Sequence, residues 1–279
     1  MDKLTIGFIG GGNMGAAMIG GLVKAGAQPQ NITVADPYQP SLDRLKLEFN
    51  VKTTTQNSLV CASQVIVMAV KPQTLKAVAT EIVSFVQKSN CLVISICAGI
   101  TSAHLAKWLS ANSFVPNVVR VMPNTPALVQ EGASALFAPD SVSQENRTLA
   151  FEIISSISKK SYWVNSEEMM DVVTALSGSG PAYFFLMVEC LQNAAIDLGL
   201  PEDVARGLAA QTCLGAGHML ISSTQDAATL RRNVTSPNGT TEAGVKSLEK
   251  NGIRDILAKA VLAAAKRSEE LGVTLGNQV

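Results

Sequence analysis

The sequence predicts an α/β protein in two unlike parts: an N-terminal doubly wound, Rossmann-type domain followed by an all-helical domain. Three observations carry this. Short β-branched runs alternate with helical stretches from residue 4 to about 165. The first run ends in glycines that open a helix. After about residue 166 strand patterning stops and helical periodicity continues to the end. The expected parts are 1–165 and 166–279, and 279 residues suit two domains of roughly 100–200 residues each.

The expected strands, in order, are "LTIGFIG" (4–10), "NITVAD" (31–36), "QVIVMAV" (64–70), "CLVISIC" (91–97) and "NVVRVMPN" (117–124), with weaker runs "ASALFA" (133–138) and "SYWVN" (161–165). Near-continuous apolar runs mark parallel strands covered on both faces, and the helices between them make right-handed crossovers. The second part reads as helices over 167–177, 181–199, 202–223, 226–233, 240–250 and 253–271. Gly199-Leu200-Pro201 and Asn251-Gly252 break that pattern. In the helix "AYFFLMVECLQNAAIDLG", Glu189, Gln192, Asn193 and Asp197 form one narrow polar stripe on an otherwise apolar cylinder. Such a helix needs cover on most sides, so a homodimer through this half is expected.

Composition narrows the function classes. The chain is 47% apolar, 16% charged and of zero formal net charge, with no basic block and 5% aromatics. Nucleic acid and anionic membrane surfaces are therefore poor partners. No run of about 20 residues lacks polar groups, so no membrane span is expected. The N-terminal run imitates a signal sequence, but its glycines are too specifically spaced for one. Five cysteines (Cys61, Cys91, Cys97, Cys190, Cys213) form no C-x-x-C pair, which fits reduced thiols in a cytoplasmic protein. His104 and His218 match no metal spacing, and no metal site is expected.

"FIGGGNMG" contains Gly10-x-Gly12-x-x-Gly15 between a strand and a helix. Gly10 allows a tight turn, Gly12 lets the backbone approach a pyrophosphate, and Gly15 lets the helix pack closely on the strand. Asn13 and Met14 complete the motif, and the helix N-terminus supplies N–H groups and positive dipole to phosphates. Asp36 ends the second strand, where an acid accepts hydrogen bonds from an adenosine ribose 2′-OH and favours NAD. It could equally open the turn "DPYQP". A 2′-phosphate would want a cation, and the nearest arginine is Arg44. Ligands in such sheets bind beyond the carboxyl ends of the strands, where "AVKPQ" (69–73), "ICAGI" (96–100) and "MPNTPA" (122–127) lie.

With these residues in place, the chain resembles the pyrroline-5-carboxylate reductases over nearly its whole length. The resemblance rests on "IGGGNMG" (9–15), "AVKPQ" (69–73), "MPNTPALV" (122–129), "ALSGSGPAYFF" (175–185) and above all "VTSPNGTTEAG" (234–244). It implies hydride transfer from NADPH or NADH to the C=N carbon of 1-pyrroline-5-carboxylate, giving L-proline, the last step of proline biosynthesis. It implies a helical domain that interlocks with a second subunit, active sites that draw on both subunits, and further assembly into decamers in many members. It places Ala69, Val70, Lys71 and Pro72 beside the nicotinamide end of the cofactor, Asn57 on the adenosine side, and Cys97, Ala98 and Gly99 at the nicotinamide ribose. Substrate contacts map onto Asn233, Ser236, Gly239, Thr240 and Thr241, with Glu167 bordering that pocket. Asn238 stands where the family commonly has glycine, and asparagine tolerates φ > 0. Asp36 departs from the small hydroxyl or amide common in members that prefer NADPH.

The substrate is a small ring with one carboxylate and one imine. Ser236-Pro237-Asn238-Gly239 reads as a type II turn, and "TTEAGVKSLEKN" as the helix it starts. Free N–H groups of Gly239, Thr240 and Thr241 would face the carboxylate, aided by the Ser236 hydroxyl. The Thr241 side chain is the candidate catalytic group at the ring nitrogen. The same cluster could be only a helix cap. Two rivals remain: a β-hydroxyacid dehydrogenase, whose lysine would fall at Phe184, and a non-catalytic nucleotide sensor, which need not keep "SPNGTT".

Overall fold

The computed structural model describes residues 3–110 and 114–276. The chain forms two compact units, one of residues 1–179 and 263–279, the other of residues 180–262.

The first unit is built on an eight-stranded sheet. Its strands are β1 (Ile6–Ile9), β2 (Ile32–Ala35), β3 (Lys52–Thr54), β4 (Val65–Met68), β5 (Leu92–Ser95), β6 (Asn117–Met122), β7 (Gly132–Phe137) and β8 (Ser158–Trp163). Their spatial order is β3-β2-β1-β4-β5-β6-β7-β8. All neighbours are parallel except β6 and β7. The order reverses between β1 and β4, which makes their carboxyl ends the place where a ligand crosses the sheet. The helices are α1 (Asn13–Lys24), α2 (Gln39–Phe49), α3 (Asn57–Val60), α4 (Pro72–Ser89), α5 (Ser102–Leu109), α6 (Gln144–Ile157) and α7 (Met169–Val173).

Both faces of the sheet are covered, which is why its strands read as continuous apolar runs. Ile6 and Phe8 of β1, Val65 and Val67 of β4, and Leu92 and Ile94 of β5 lie in one apolar cluster, with Leu22 of α1 and Ile153 of α6. Ile9, Ile66, Met68 and Val93 point the other way and pack with Leu75 and Ile82 of α4 and Leu105 of α5. The weaker runs at 133–138 and 161–165 correspond to β7 and β8. The short strand β3 had no apolar signal, because "KTT" is a partly exposed edge strand.

The expected helix 167–177 is α7 followed by a wider, π-type turn over Thr174–Gly178. The Ser179 N–H reaches five residues back to the Thr174 carbonyl at 2.8 Å. A Cβ at Gly178 would stand 2.5 Å from Met122 Cε, the far end of a β6 side chain. Asn124 bridges the same region, its amide donating to Ser177 O at 3.1 Å and its oxygen accepting from Ala133 N–H at 2.9 Å.

The second unit is helical: α8 (Gly180–Asp197), α9 (Glu202–Ser222), α10 (Ala227–Asn233), α11 (Thr240–Lys250) and the first part of α12 (Ile253–Gly276). Helices α8 and α9 form a hairpin through Gly199, whose φ of 96° suits glycine. In α8 only Gly180 is buried, and Phe184, Phe185, Leu186 and Leu191 are all more than half exposed. The run Met169–Asp197 is long and apolar enough by length and composition to cross a membrane, with 17% of its window buried. Sequence patterning called for a covered helix, and among the described residues α8 is left largely uncovered.

Phe8 is fully buried at the centre of the sheet, and Phe8→Ala is expected to cost about 3–5 kcal/mol, read as a lower urea midpoint at unchanged slope.

Candidate active site

In the first unit the carboxyl ends of β1, β2 and β4 open into a cleft of about 450 Å³. The turn after β1 explains the opening. Gly10 sits at φ 107°, and a Cβ there would lie 2.5 Å from the Ala69 carbonyl oxygen. A Cβ on Gly15 would collide with the Gly10 carbonyl. These glycines let the turn and α1 close onto β4. Gly12 is different: among the described residues, nothing beyond its own chain neighbours and helix backbone lies within 4 Å of where its Cβ would stand. That open face is the approach a pyrophosphate needs. Gly12 also begins α1 without a side-chain cap, and no acidic residue lies in the first turn, so the N–H groups and dipole stay available to an anion.

The cleft brings together Gly10, Gly12, Asp36, Asn57, Ala69, Val70 and Lys71, all expected on sequence grounds, and adds Pro37, Thr55 and Thr74. Asn13, Met14 and Gly15 form the first turn of α1, and Pro72 opens α4 behind Lys71. Asn57 donates its amide to Glu81 at 2.9 Å. Cys97, Ala98 and Gly99 are not among the lining residues. They form the turn after β5, where the Cys97 thiol donates to the Val70 carbonyl at 3.2 Å. Burial pushes that thiol up to about 12, so it stays protonated and acts as a packed donor. Cys61 is likewise raised to about 12 by burial.

Asp36 opens the turn, as one of its two readings expected, and it stands in the cleft. Its carboxylate opens the next turn by accepting Tyr38 N–H at 2.8 Å, and it ties down the glycine turn by accepting Gly11 N–H at 2.7 Å. Arg44, eight residues further on, reaches the Gly11 carbonyl at 3.5 Å. A cation thus stands at the glycine turn, which sequence spacing left unplaced.

In the second unit "TSPNGTT" folds as the sequence suggested. Asn238 adopts φ 60°, and Gly239 begins α11. One expectation needs correcting. The Gly239 N–H is not free, because it closes the turn onto Ser236 O at 3.1 Å. Among the described residues, Thr240 and Thr241 N–H have no acceptor outside the helix. Sequence reasoning also passed over Glu242, although an acid in the first helical turn is a known capping signal. Its carboxylate accepts Asn238 N–H at 2.9 Å and pairs with Lys246 at 3.1 Å, and these contacts hold it below the usual carboxylate range. Ser236, Thr240 and Thr241 are exposed, and Asn233 donates to Gln225 at 2.9 Å.

Glu167 lies in the first unit with both oxygens engaged. They accept from the Ser102 N–H and hydroxyl, the latter at 2.8 Å, and one faces Arg120 at 3.5 Å.

A mostly parallel sheet with this order, a glycine turn at its reversal point and an uncapped helix behind it define a dinucleotide-binding domain of Rossmann type. A model of pyrroline-5-carboxylate reductase dimerisation matches residues 167–271, and one of NADP oxidoreductase, coenzyme F420-dependent, matches residues 5–99. The pyrroline-5-carboxylate reductase of Pseudomonas aeruginosa is 43% identical over 99% of this chain and 100% of its own length. That of Pisum sativum is 39% identical, with 97% of each chain covered. Among solved structures, the Coxiella burnetii pyrroline-5-carboxylate reductase superposes at TM-score 0.86 with 40% identity, covering 97% of this chain and 99% of that one. The Plasmodium falciparum pyrroline carboxylate reductase, with NADP bound, gives 0.87 at 31%, covering 98% and 99%. The chain belongs to the pyrroline-5-carboxylate reductase family.

Replacing Asp36 by serine removes a negative charge from the cleft and one anchor of the glycine turn. Asp36→Ser is expected to raise the NADPH/NADH ratio of kcat/KM on the order of tenfold, about 1.4 kcal/mol, with a higher KM for both. An unchanged ratio would leave Asp36 as a turn anchor alone.

Proposed function

We propose that this protein reduces 1-pyrroline-5-carboxylate to L-proline with NADPH or NADH, the last step of proline biosynthesis. The observation that carries the reading is the pairing, on one chain, of an open glycine turn at the sheet reversal with the "TSPNGTT" turn of the second unit. Full-length relatives at about 40% identity bear the name of that activity.

The bound dinucleotide supplies the hydride. The chain's own work is binding and orientation, because a protonated imine is already electrophilic and aligned reactants need little acid–base help. In the first unit Gly12 and the N–H groups of Asn13, Met14 and Gly15 receive the pyrophosphate. Asp36 and Asn57 flank the adenosine side. Ala69–Pro72 and Cys97–Gly99 flank the nicotinamide side. In the second unit the Thr240 and Thr241 N–H groups and the Ser236 hydroxyl hold the substrate carboxylate, with Asn233 and Gly239 shaping the turn. Thr241 Oγ1 accepts from the imine N–H. Glu167 borders the substrate pocket in this reading, with its carboxylate held in place through Ser102. The Glu242 carboxylate stands near the substrate's, and Lys246 offsets part of that repulsion.

The domain reading is a dinucleotide-binding part over 1–165 and a substrate-binding, dimerising part over 166–279. The exposed apolar face of α8 fits cover by a second copy rather than by lipid, and the dimerisation model spans it. A decamer is the larger assembly we propose. A cytoplasmic setting suits the unpaired, buried thiols of Cys61, Cys91 and Cys97.

The purified protein is expected to oxidise NADPH or NADH only when pyrroline-5-carboxylate is present. No turnover with either cofactor would refute the reading. Thr241→Ala is expected to lower kcat by about 10²-fold while changing dinucleotide Kd less than about twofold. An unchanged kcat would remove Thr241 from the site.

A further inference from the structure

Arg120 on β6 is 3% exposed and lies opposite Ser95 of β5 in the parallel register. Its guanidinium faces Asp171 at 3.1 Å and Glu167 at 3.5 Å. A buried cation between two carboxylates is costly to desolvate, and packed apolar side chains commonly stabilise such a place as well or better. The cluster therefore calls for a role other than stability.

What the cluster holds suggests the role. Glu167 fixes the start of α5 through Ser102. Asp171 fixes α12 by accepting the Ser268 hydroxyl at 2.7 Å. Both anchors flank the Cys97–Gly99 turn. Gly99 adopts φ 78°, and a Cβ there would stand 2.7 Å from Ser268 O and 3.0 Å from Leu271 Cβ. A Cβ on Gly272 would strike the Gly99 carbonyl. On its other side the turn is tied to Ser95 by Cys97 N–H at 3.4 Å, and to Val70, in the cleft wall, by the Cys97 thiol. A continuous line of contacts thus runs from Arg120 through Asp171, Ser268, Gly99 and Cys97 to Val70. Val70 lies on β4's side of the sheet reversal, whereas Asp36 marks the β2 side where the adenosine end belongs.

We propose that Arg120 is a positioning residue for hydride transfer. Through Asp171 and Ser268 it presses the Cys97–Gly99 turn against the Ala69–Lys71 wall and so fixes where the nicotinamide ring lies. This inference rests on the reading of the cleft as the dinucleotide site. Reacting rings tolerate little misplacement, since a shift of about 1 Å costs about 10²-fold in rate.

The test uses the intact enzyme with Ser268→Ala, which removes one hydroxyl, and Arg120→Lys, which keeps the charge but loses the fork. Three quantities are compared with wild type: kcat per dinucleotide-binding site, dinucleotide Kd, and the fluorescence lifetime of bound NADPH, which reports the surroundings of its nicotinamide ring. Ser268→Ala is expected to lower kcat about tenfold and alter the lifetime, with Kd within about twofold, because the pyrophosphate and adenosine anchors are untouched. Arg120→Lys is expected to have a larger effect of the same kind. If Arg120→Lys fails to fold, Ser268→Ala decides alone. A lower Tm with kcat per site and lifetime unchanged would overturn the proposal. A wild type that binds NADPH but never reduces pyrroline-5-carboxylate would refute the functional reading instead, and the lifetime comparison would still decide the role of Arg120.

Discussion

The approach of the turn after β1 to the end of β4 is the constraint on which the first unit depends. Gly10 and Gly15 are packed so closely that neither has room for a side chain, one against the Ala69 carbonyl and the other against Gly10 itself. That packing draws the N-terminus of α1 over the point where the sheet order reverses. It leaves Gly12 facing open space, and it sets the Ala69–Lys71 segment as the opposite wall. Asp36 reinforces the arrangement by taking the Gly11 N–H, so one carboxylate both shapes the turn and charges the cleft. A ligand with a pyrophosphate and a flat ring at each end is what such a cleft suits.

The second unit works by a different physics. Its helices expose large apolar side chains, and the proposed substrate contacts lie on a short exposed turn. The turn holds its shape from within: Gly239 closes it, Asn238 takes the left-handed backbone, and Glu242 caps it. In the proposed reading, two helix-start N–H groups and the Ser236 hydroxyl are left for the carboxylate, and the Thr241 hydroxyl for the imine. A hydride transfer of this kind asks for little more from the chain than a held carboxylate, a hydrogen-bond partner at nitrogen and two aligned rings.

Much of this was legible in the sequence because it was local. Strands β1, β2, β4, β5 and β6 announced themselves as apolar runs, and Gly10, Gly12 and Gly15 carried the turn in their spacing. Asn238 could be assigned its backbone conformation from its residue type and its place after Pro237 in the turn. What escaped was either polar and short, as in β3, or brought together over long separations. Nothing in the letters ties Arg120 to Asp171, or Asp171 to Ser268, and no pattern foretold that Gly99 and Gly272 would pack backbone to backbone. Glu167 illustrates the limit: the resemblance placed it at a pocket edge, but no pattern in the letters joined it to Ser102 and Arg120. Gly239 illustrates a smaller one, since counting free helix-start N–H groups missed the bond that closes the turn.

The account comes down to a hydride moving from the dinucleotide in the cleft to the imine carbon of the substrate. Incubating the protein with pyrroline-5-carboxylate and NADPH or NADH deuterated at the transferring position of nicotinamide C4 tests this directly, with mass spectrometry of the product. The account predicts proline carrying one deuterium at C5, the former imine carbon. Proline without deuterium, or deuterium at another carbon, would contradict it.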